Sequence, residues 1–269
     1  MHTNPFRIKN IGIFAFLFLL VLNLGANLCL AQEEKAPPSQ EMQQKFKASN
    51  NKYYIKAKKY FVNEKYTKAE NLLKQCIETY PKHANAYYLL AQIDYKKGNF
   101  LEALENIKKA KTYSEDFIDM HILIKKQNIE NLETNLEQLR SELEFQQTSG
   151  RIQNIRSSIT ETREQIKEKR NDYKNFMAST AQMRSDYYYT HGNIFFKMKA
   201  YPKAVNQYSE AIKINPKHGK AYNNLAIIFF LAKQYQKALD FLNKAESQGV
   251  EINQKLKEDI MSHLKEPSS

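Results

Sequence analysis

An aromatic residue, a small residue four positions on and a bulky residue three beyond that share one face of a helix. Tyr53, Ala57 and Tyr60 form this pattern, and stepping by 34 carries Tyr53 to Tyr87 and Ala57 to Ala91. The same step takes Tyr66 to Phe100, Ala69 to Ala103 and Cys76 to Ala110. In the second half it takes Tyr188 to Tyr222, Gly192 to Ala226, Phe195 to Phe229, Tyr201 to Tyr235, Ala204 to Ala238 and Ala211 to Ala245. Each period thus reads as two helices, the second opened by an aromatic and carrying small residues seven apart. Small side chains let two antiparallel backbones approach closely, and the aromatics fill the remaining space. Pro81 and Pro216 lie just past second helices, where proline ends a helix at little cost.

These positions resemble the tetratricopeptide repeat (TPR) family. Repeats one (50–83) and two (84–117) and repeats three (185–218) and four (219–252) follow its signature, with Asp94, Glu115 and Val250 as departures. The near copies "YPKHANAYYLLA" and "NPKHGKAYNNLA" are then junctions between helical hairpins, stacking elements with no catalytic role. The resemblance implies an all-α fold: a solenoid of helical hairpins, four repeats plus a carboxyl-terminal capping helix. Each repeat buries its apolar face only against neighbours. Ile252 and, every four residues on, Leu256, Ile260 and Leu264 suit a final capping helix, with 253–269 as capping helix and tail. Residues 32–49 read as a polar linker, "QEEKAPPSQ", and an amino-terminal cap with Met42 and Phe46.

Residues 118–184 break the phase. They contain no Ala before Ala178 and a single Gly, Gly150, so a hairpin there lacks the small residues for close approach. Ile129, Leu132, Leu136, Leu139 and Leu143 alternate steps of three and four, as do Ile152, Ile155, Ile159, Thr162 and Ile166. This seam predicts a long antiparallel coiled-coil hairpin interrupting the repeats, with its turn at Ser149-Gly150. Opposite net charges, −3 over 118–147 and +3 over 151–183, favour folding back. At ~1.5 Å per residue each arm extends about 45 Å. The rival arrangement pairs the same seam between chains, so oligomerisation through the coiled coil stays open.

The amino end changes the picture of where the chain resides. Arg7 and Lys9 precede the apolar run Ile11 to Leu22 and a small-x-small site at Cys29-Leu30-Ala31. Residues 1–31 therefore read as a signal peptide, giving an exported protein, periplasmic or secreted. A retained membrane anchor and a lipidated Cys29 are the alternatives. Without the leader, Cys76 is the single cysteine, so no internal disulfide is expected, nor any Cys/His metal site. Neither cofactor nor metal is expected.

Formal net charge is +12, or +10 without Arg7 and Lys9. The clusters Lys56-Lys58-Lys59, Lys96-Lys97 and Lys108-Lys109-Lys111 could meet anionic polymer or a membrane surface. A solvated helical surface is the plainer account, and nucleic acid is not an expected partner. No phosphate loop, His-Glu-x-x-His or nucleophile elbow occurs, so no enzyme and no catalytic residue is expected.

In TPR proteins the first helix of each repeat lines a concave groove. The resemblance places Tyr54, Lys58, Tyr88, Gln92 and Tyr95 there from the first pair of repeats. Tyr189, Asn193, Phe196, Lys220 and Asn224 come from the second. Aromatic bodies beside amides and ammonium groups suit an extended peptide. Asn193 and Asn224 match two asparagines of the family's carboxylate clamp, but Tyr189 stands in place of its lysine, so that ligand is not expected. The implied function is a non-catalytic scaffold of the bacterial cell envelope that binds a protein or peptide partner.

Overall fold

The computed structural model describes residues 37–265, and every helix below lies in the unit that begins at Ser39. The signal-peptide reading of 1–31 falls outside the described residues. Eleven α-helices follow in order, and no strand occurs among the described residues. α1 (Gln40–Ala48) runs through a π-helical turn, Ser49–Tyr54, into α2 (Ile55–Val62). Then come α3 (Tyr66–Thr79), α4 (Ala84–Lys97) and α5 (Phe100–Thr112). Two long helices follow, α6 (Ser114–Phe145) and α7 (Ser149–Lys197). α8 (Tyr201–Ile214), α9 (Gly219–Leu231), α10 (Tyr235–Ser247) and α11 (Gln254–Lys265) complete the chain.

The small residues at matched phases are what allow consecutive helices to pair. Ala57, Ala69, Cys76, Ala91, Ala103, Ala110, Ala204, Ala211, Ala226, Ala238 and Ala245 are all fully buried. Where three hairpins set Ala57, Ala91 or Ala226 beside Leu73, Ile107 or Leu242, the hairpin α7–α8 has Gly192 and the larger Tyr208. A Cβ on Gly192 would stand 2.5 Å from the Tyr208 ring, so the glycine makes room for the extra volume. Ala204→Leu in this hairpin is expected to destabilise by about 1–3 kcal/mol through overpacking, read by thermal or urea unfolding. An unchanged midpoint would refute the close approach.

The hairpin turns repeat with equal regularity. Glu64, Gly98, Lys199 and Lys233 each adopt a left-handed backbone, with φ of 57°, 83°, 59° and 57°. The amide of the following residue then reaches back to the first helix, as in Asn99 N–H to Asp94 O (2.9 Å) and Gln234 N–H to Phe229 O (2.8 Å). This satisfies carbonyls that the helix end would leave open. Two histidines open the next hairpins. His83 Nδ1 accepts from Ala86 N–H (3.1 Å), and His218 Nδ1 from Ala221 N–H (3.2 Å). The repeated Pro-Lys-His phrase is thus a helix stop followed by a helix cap.

Between α5 and α8 the stack runs on without a gap. The last turns of α7 pack on α4 and α5: Tyr187 donates to Asn85 (2.5 Å), and its ring lies 4.9 Å from that of Tyr88. Lys111 of α5 donates to Gln207 of α8 (2.9 Å) and sits 3.8 Å from the Tyr188 ring centre. The outer parts of α6 and α7 lie against each other instead. Leu136, Ile155, Ile159 and Ile166 are buried there, with Leu132, Leu139 and Leu143 beside them. Ion pairs cross between the two helices in antiparallel order: Glu115–Arg184 (2.8 Å), Lys125–Asp172, Glu133–Arg170 (2.5 Å) and Glu142–Arg151 (3.8 Å).

One sequence expectation needs correction here. The turn lies at Gln146–Thr148, not at Ser149-Gly150, which form the first turn of α7. Gln146 and Thr148 reverse the chain with extended backbone, so no glycine is required. α1 continues through the π turn into α2. Phe46 of α1 is buried against Tyr80 (5.2 Å), Phe117 (5.5 Å) and His121 (4.7 Å), which ties α1 to the base of α6. At the other end Ile260 of α11 is fully buried beside Leu242 and Ala245. Among the described residues no helix is long and apolar enough to cross a membrane.

Candidate functional site

The face shared by α4, α7 and the start of α9 holds an open cavity of about 550 Å3. Its position follows from the stack: α4 and the end of α7 are first helices of successive hairpins, so their residues of one phase turn to the same side. α4 supplies Tyr88, Gln92, Tyr95 and Lys96. α7 supplies Gln182, Asp186, Tyr189, Thr190 and Asn193, and the turn into α9 brings Lys217, His218 and Lys220.

A chain of hydrogen bonds fixes one wall. Asn215 Nδ2 donates to Gln182 Oε1 (2.5 Å), and Gln182 Nε2 donates to Asp186 Oδ1 (2.7 Å). His218 Nε2 lies 3.2 Å from the same carboxylate. Since its Nδ1 accepts the α9 cap, Nε2 carries the proton and donates. Asp186 is therefore engaged on both sides. The Tyr189 ring packs 4.8 Å from that of His218. Thr190 Oγ1 donates to the Tyr88 hydroxyl (3.4 Å), whose pKa burial pushes up to about 12. Lys96, Lys217 and Lys220 stand exposed at the rim without an ion pair to any described residue.

Of the residues expected in the groove, Tyr88, Gln92, Tyr95, Tyr189, Asn193 and Lys220 line this cavity together. Tyr54, Lys58, Phe196 and Asn224 lie outside it. Tyr54 packs its ring 4.9 Å from His83, and Phe196 packs on Tyr201 at 5.6 Å. Lys58 is exposed on α2. Asn224 donates to Asn193 Oδ1 (2.9 Å) and to the Tyr208 hydroxyl (3.1 Å), while Tyr208 donates to Asn193 Oδ1 (2.8 Å). That triangle satisfies Asn224 internally and occupies Asn193 Oδ1. Lys96, Gln182, Thr190, Lys217 and His218 were not foreseen. Gln182 precedes the repeat boundary drawn at 185, and Lys217 and His218 belong to a junction read only as a stacking element.

The geometry suits holding rather than reacting. Tyrosine faces offer apolar area, and amide and ammonium groups offer donors to a backbone or carboxylate. Cys76 is fully buried in its hairpin, and burial pushes its thiol up to about 12, far from a reactive thiolate. Among the described residues no cluster of His, Cys, Asp or Glu could hold a metal ion.

Comparison with known families agrees with the hairpin geometry. A family model described as TPR repeat matches residues 192–232, and one described as anaphase-promoting complex, cyclosome, subunit 3 matches residues 39–110. Both matches support the TPR family. Among curated proteins, Hsp70-Hsp90 organizing protein 2 of Arabidopsis thaliana is 55% identical over 38 residues, 14% of this chain and 7% of that protein. The chain thus spans under a tenth of that relative's length. Among solved structures, the type IV pilus biogenesis factor PilW is 16% identical at a TM-score of 0.39, covering 81% of this chain and 86% of PilW. A thermophilic TPR protein of Thermus thermophilus is 16% identical at a TM-score of 0.36, covering 81% of this chain and 99% of its own.

Proposed function

We propose that this chain is a non-catalytic protein-interaction scaffold that takes an extended peptide or partner segment in the TPR groove. What carries the reading is the cavity in which Tyr88, Tyr95 and Tyr189 converge with Gln92 and Asn193. The tyrosines present rigid apolar area at low entropic cost, and the amides match a peptide backbone. Four TPR repeats, two on each side of a coiled-coil arm formed by α6 and α7, make the body, and the arm is a second contact surface. The leader read from Arg7 to Ala31 supports an exported protein, periplasmic or secreted, working in a bacterial cell envelope, with a membrane-anchored form as the alternative.

The test screens a displayed peptide library against the full chain and against Tyr95→Ala/Tyr189→Ala. Loss of two central aromatics is expected to weaken selected peptides by about tenfold or more. Equal affinity for both proteins would refute the groove. The uncompensated Lys96, Lys217 and Lys220 favour a second reading, a binder of anionic envelope polymer or membrane surface. That reading predicts binding that collapses as salt rises from about 0.05 to 0.5 M and ignores the tyrosine changes.

A further inference from the structure

The arm carries a charge pattern that its own folding does not use up. On α7, Arg156, Arg163 and Arg170 stand seven residues apart, with Lys167 and Lys174 four beyond the last two. At ~100° per residue these five side chains fall within about 60° of one another, and all are exposed. The acids of this part of α7, Glu161, Glu164, Glu168 and Asp172, occupy other sides of the helix. On α6, Glu133, Glu137 and Glu144 form a second row at steps of four and seven, and Arg140, seven beyond Glu133, falls within it.

Both rows border one groove. Glu133, Glu137 and Arg140 from α6 and Arg163, Lys167 and Arg170 from α7 line it together, over Leu136 and Ile166. One flank of the arm therefore shows a basic lane beside a mainly acidic one. They are tied within the chain by Glu133–Arg170, while Glu137 turns to Arg140 on its own helix (2.6 Å). Arg156, Arg163, Lys174 and Glu144 have no ion pair with any described residue.

We infer that this flank docks on the same flank of a second copy of the chain, with the two arms side by side and their tips at the same end. The inference deepens the arm half of the reading above. A twofold axis along the arm sets α6 of one copy over α7 of the other, so each acidic lane meets a basic lane. A twofold across the arm would set like on like. The lanes run over the same stretch: Glu133 lies opposite Arg170 and Glu142 opposite Arg151, which places Glu137 within about a turn of Arg163 and Glu144 within about two turns of Arg156. An anionic membrane or polymer fits less well, because the acidic lane would face it. Leu136 and Ile166 are already nearly buried, so association rests on charge and is salt-sensitive.

Sedimentation equilibrium of the full chain tests this. Wild type is expected to dimerise, with Kd rising about tenfold or more between about 0.05 and 0.5 M NaCl. Glu137→Lys/Glu144→Lys and Arg156→Glu/Arg163→Glu are each expected to be monomeric alone and to pair when mixed, since their lanes are then complementary. The milder Glu137→Gln/Glu144→Gln, which adds no repulsion, is expected to weaken the dimer without loss of helicity. A wild type monomeric at about 100 µM in low salt overturns the inference. So does a mixture that fails to pair, or a dimer indifferent to all three changes. Phosphatidylglycerol vesicles that capture wild type and Glu137→Lys/Glu144→Lys but not Arg156→Glu/Arg163→Glu would assign the basic lane to a membrane instead. A monomer that still binds peptides in the groove refutes the arm contact alone; loss of groove binding in Tyr95→Ala/Tyr189→Ala does not bear on it.

Discussion

Phe117→Ala is expected to cost about 3–5 kcal/mol, the range for deleting a fully buried aromatic ring. Phe117 is 0% exposed and packs on two other elements as well as on its own helix. Its ring lies 5.5 Å from Phe46 of α1, 4.9 Å from His83 at the α3–α4 junction and 4.7 Å from His121 one turn on in α6. His121 in turn packs 4.9 Å from Phe176 of α7. The substitution removes a ring on which Phe46, His83 and His121 all pack. A fall in Tm on the order of 10 °C is expected. Phe145→Ala at the outer end of α6, where the ring is 79% exposed, serves as the control and should change stability by no more than about 0.5 kcal/mol. Equal effects from the two changes would refute the anchored base.

Acid should loosen the molecule well before its carboxylates protonate. Three histidines are held neutral. Burial depresses His83 to about 3, helped by the neighbouring His121. Burial and then Lys125 depress His121 to about 4, against the pull of Asp172. Burial followed by Lys111 and Lys108 brings His191 to about 4. Unfolded histidines titrate near 6.5, so below that pH the unfolded chain binds protons that the folded chain refuses. Stability is complete above pH ~6.5 and falls toward pH ~4, at up to about 1.4 kcal/mol per pH unit for each group. His83 makes the direction firm, because its Nδ1 must stay unprotonated to accept the Ala86 amide. A Tm titration at constant ionic strength should be flat from pH 8 to about 6.5 and then decline, with a shallower decline in His121→Phe. A Tm unchanged down to pH 5 would refute it.

Much of the body was legible because close helix approach admits few residue types. Ala57, Ala69, Ala91, Ala103, Ala204, Ala226 and Ala238 had to be small, and each is fully buried. Gly192 was legible as a small residue but not as a partner of Tyr208, since the size exchange needs both helices in view. The left-handed turns at Glu64, Lys199 and Lys233 were not legible, because only Gly98 among the four equivalent positions is the residue such a backbone favours. The groove was half legible. Residues of one phase on α4 and the end of α7 do converge, but Asn224 is claimed by Tyr208 and Asn193, and Tyr54 by the His83 cluster. His218 escaped notice as a cavity residue because its helix-capping Nδ1 leaves Nε2 pointing at Asp186, which spacing alone cannot convey.

The 49 residues of α7 form one unbroken rod from the outer turn at Thr148 to the groove at Tyr189 and Asn193. Such gearing makes length a discrete quantity. One residue added between them would swing the outer end by about 100° about the rod relative to the groove, and would slip it past α6. Seven added to each rod would restore both bearings. Lengthening of this limb is thus tolerated only in matched steps near whole numbers of turns, such as seven or eleven.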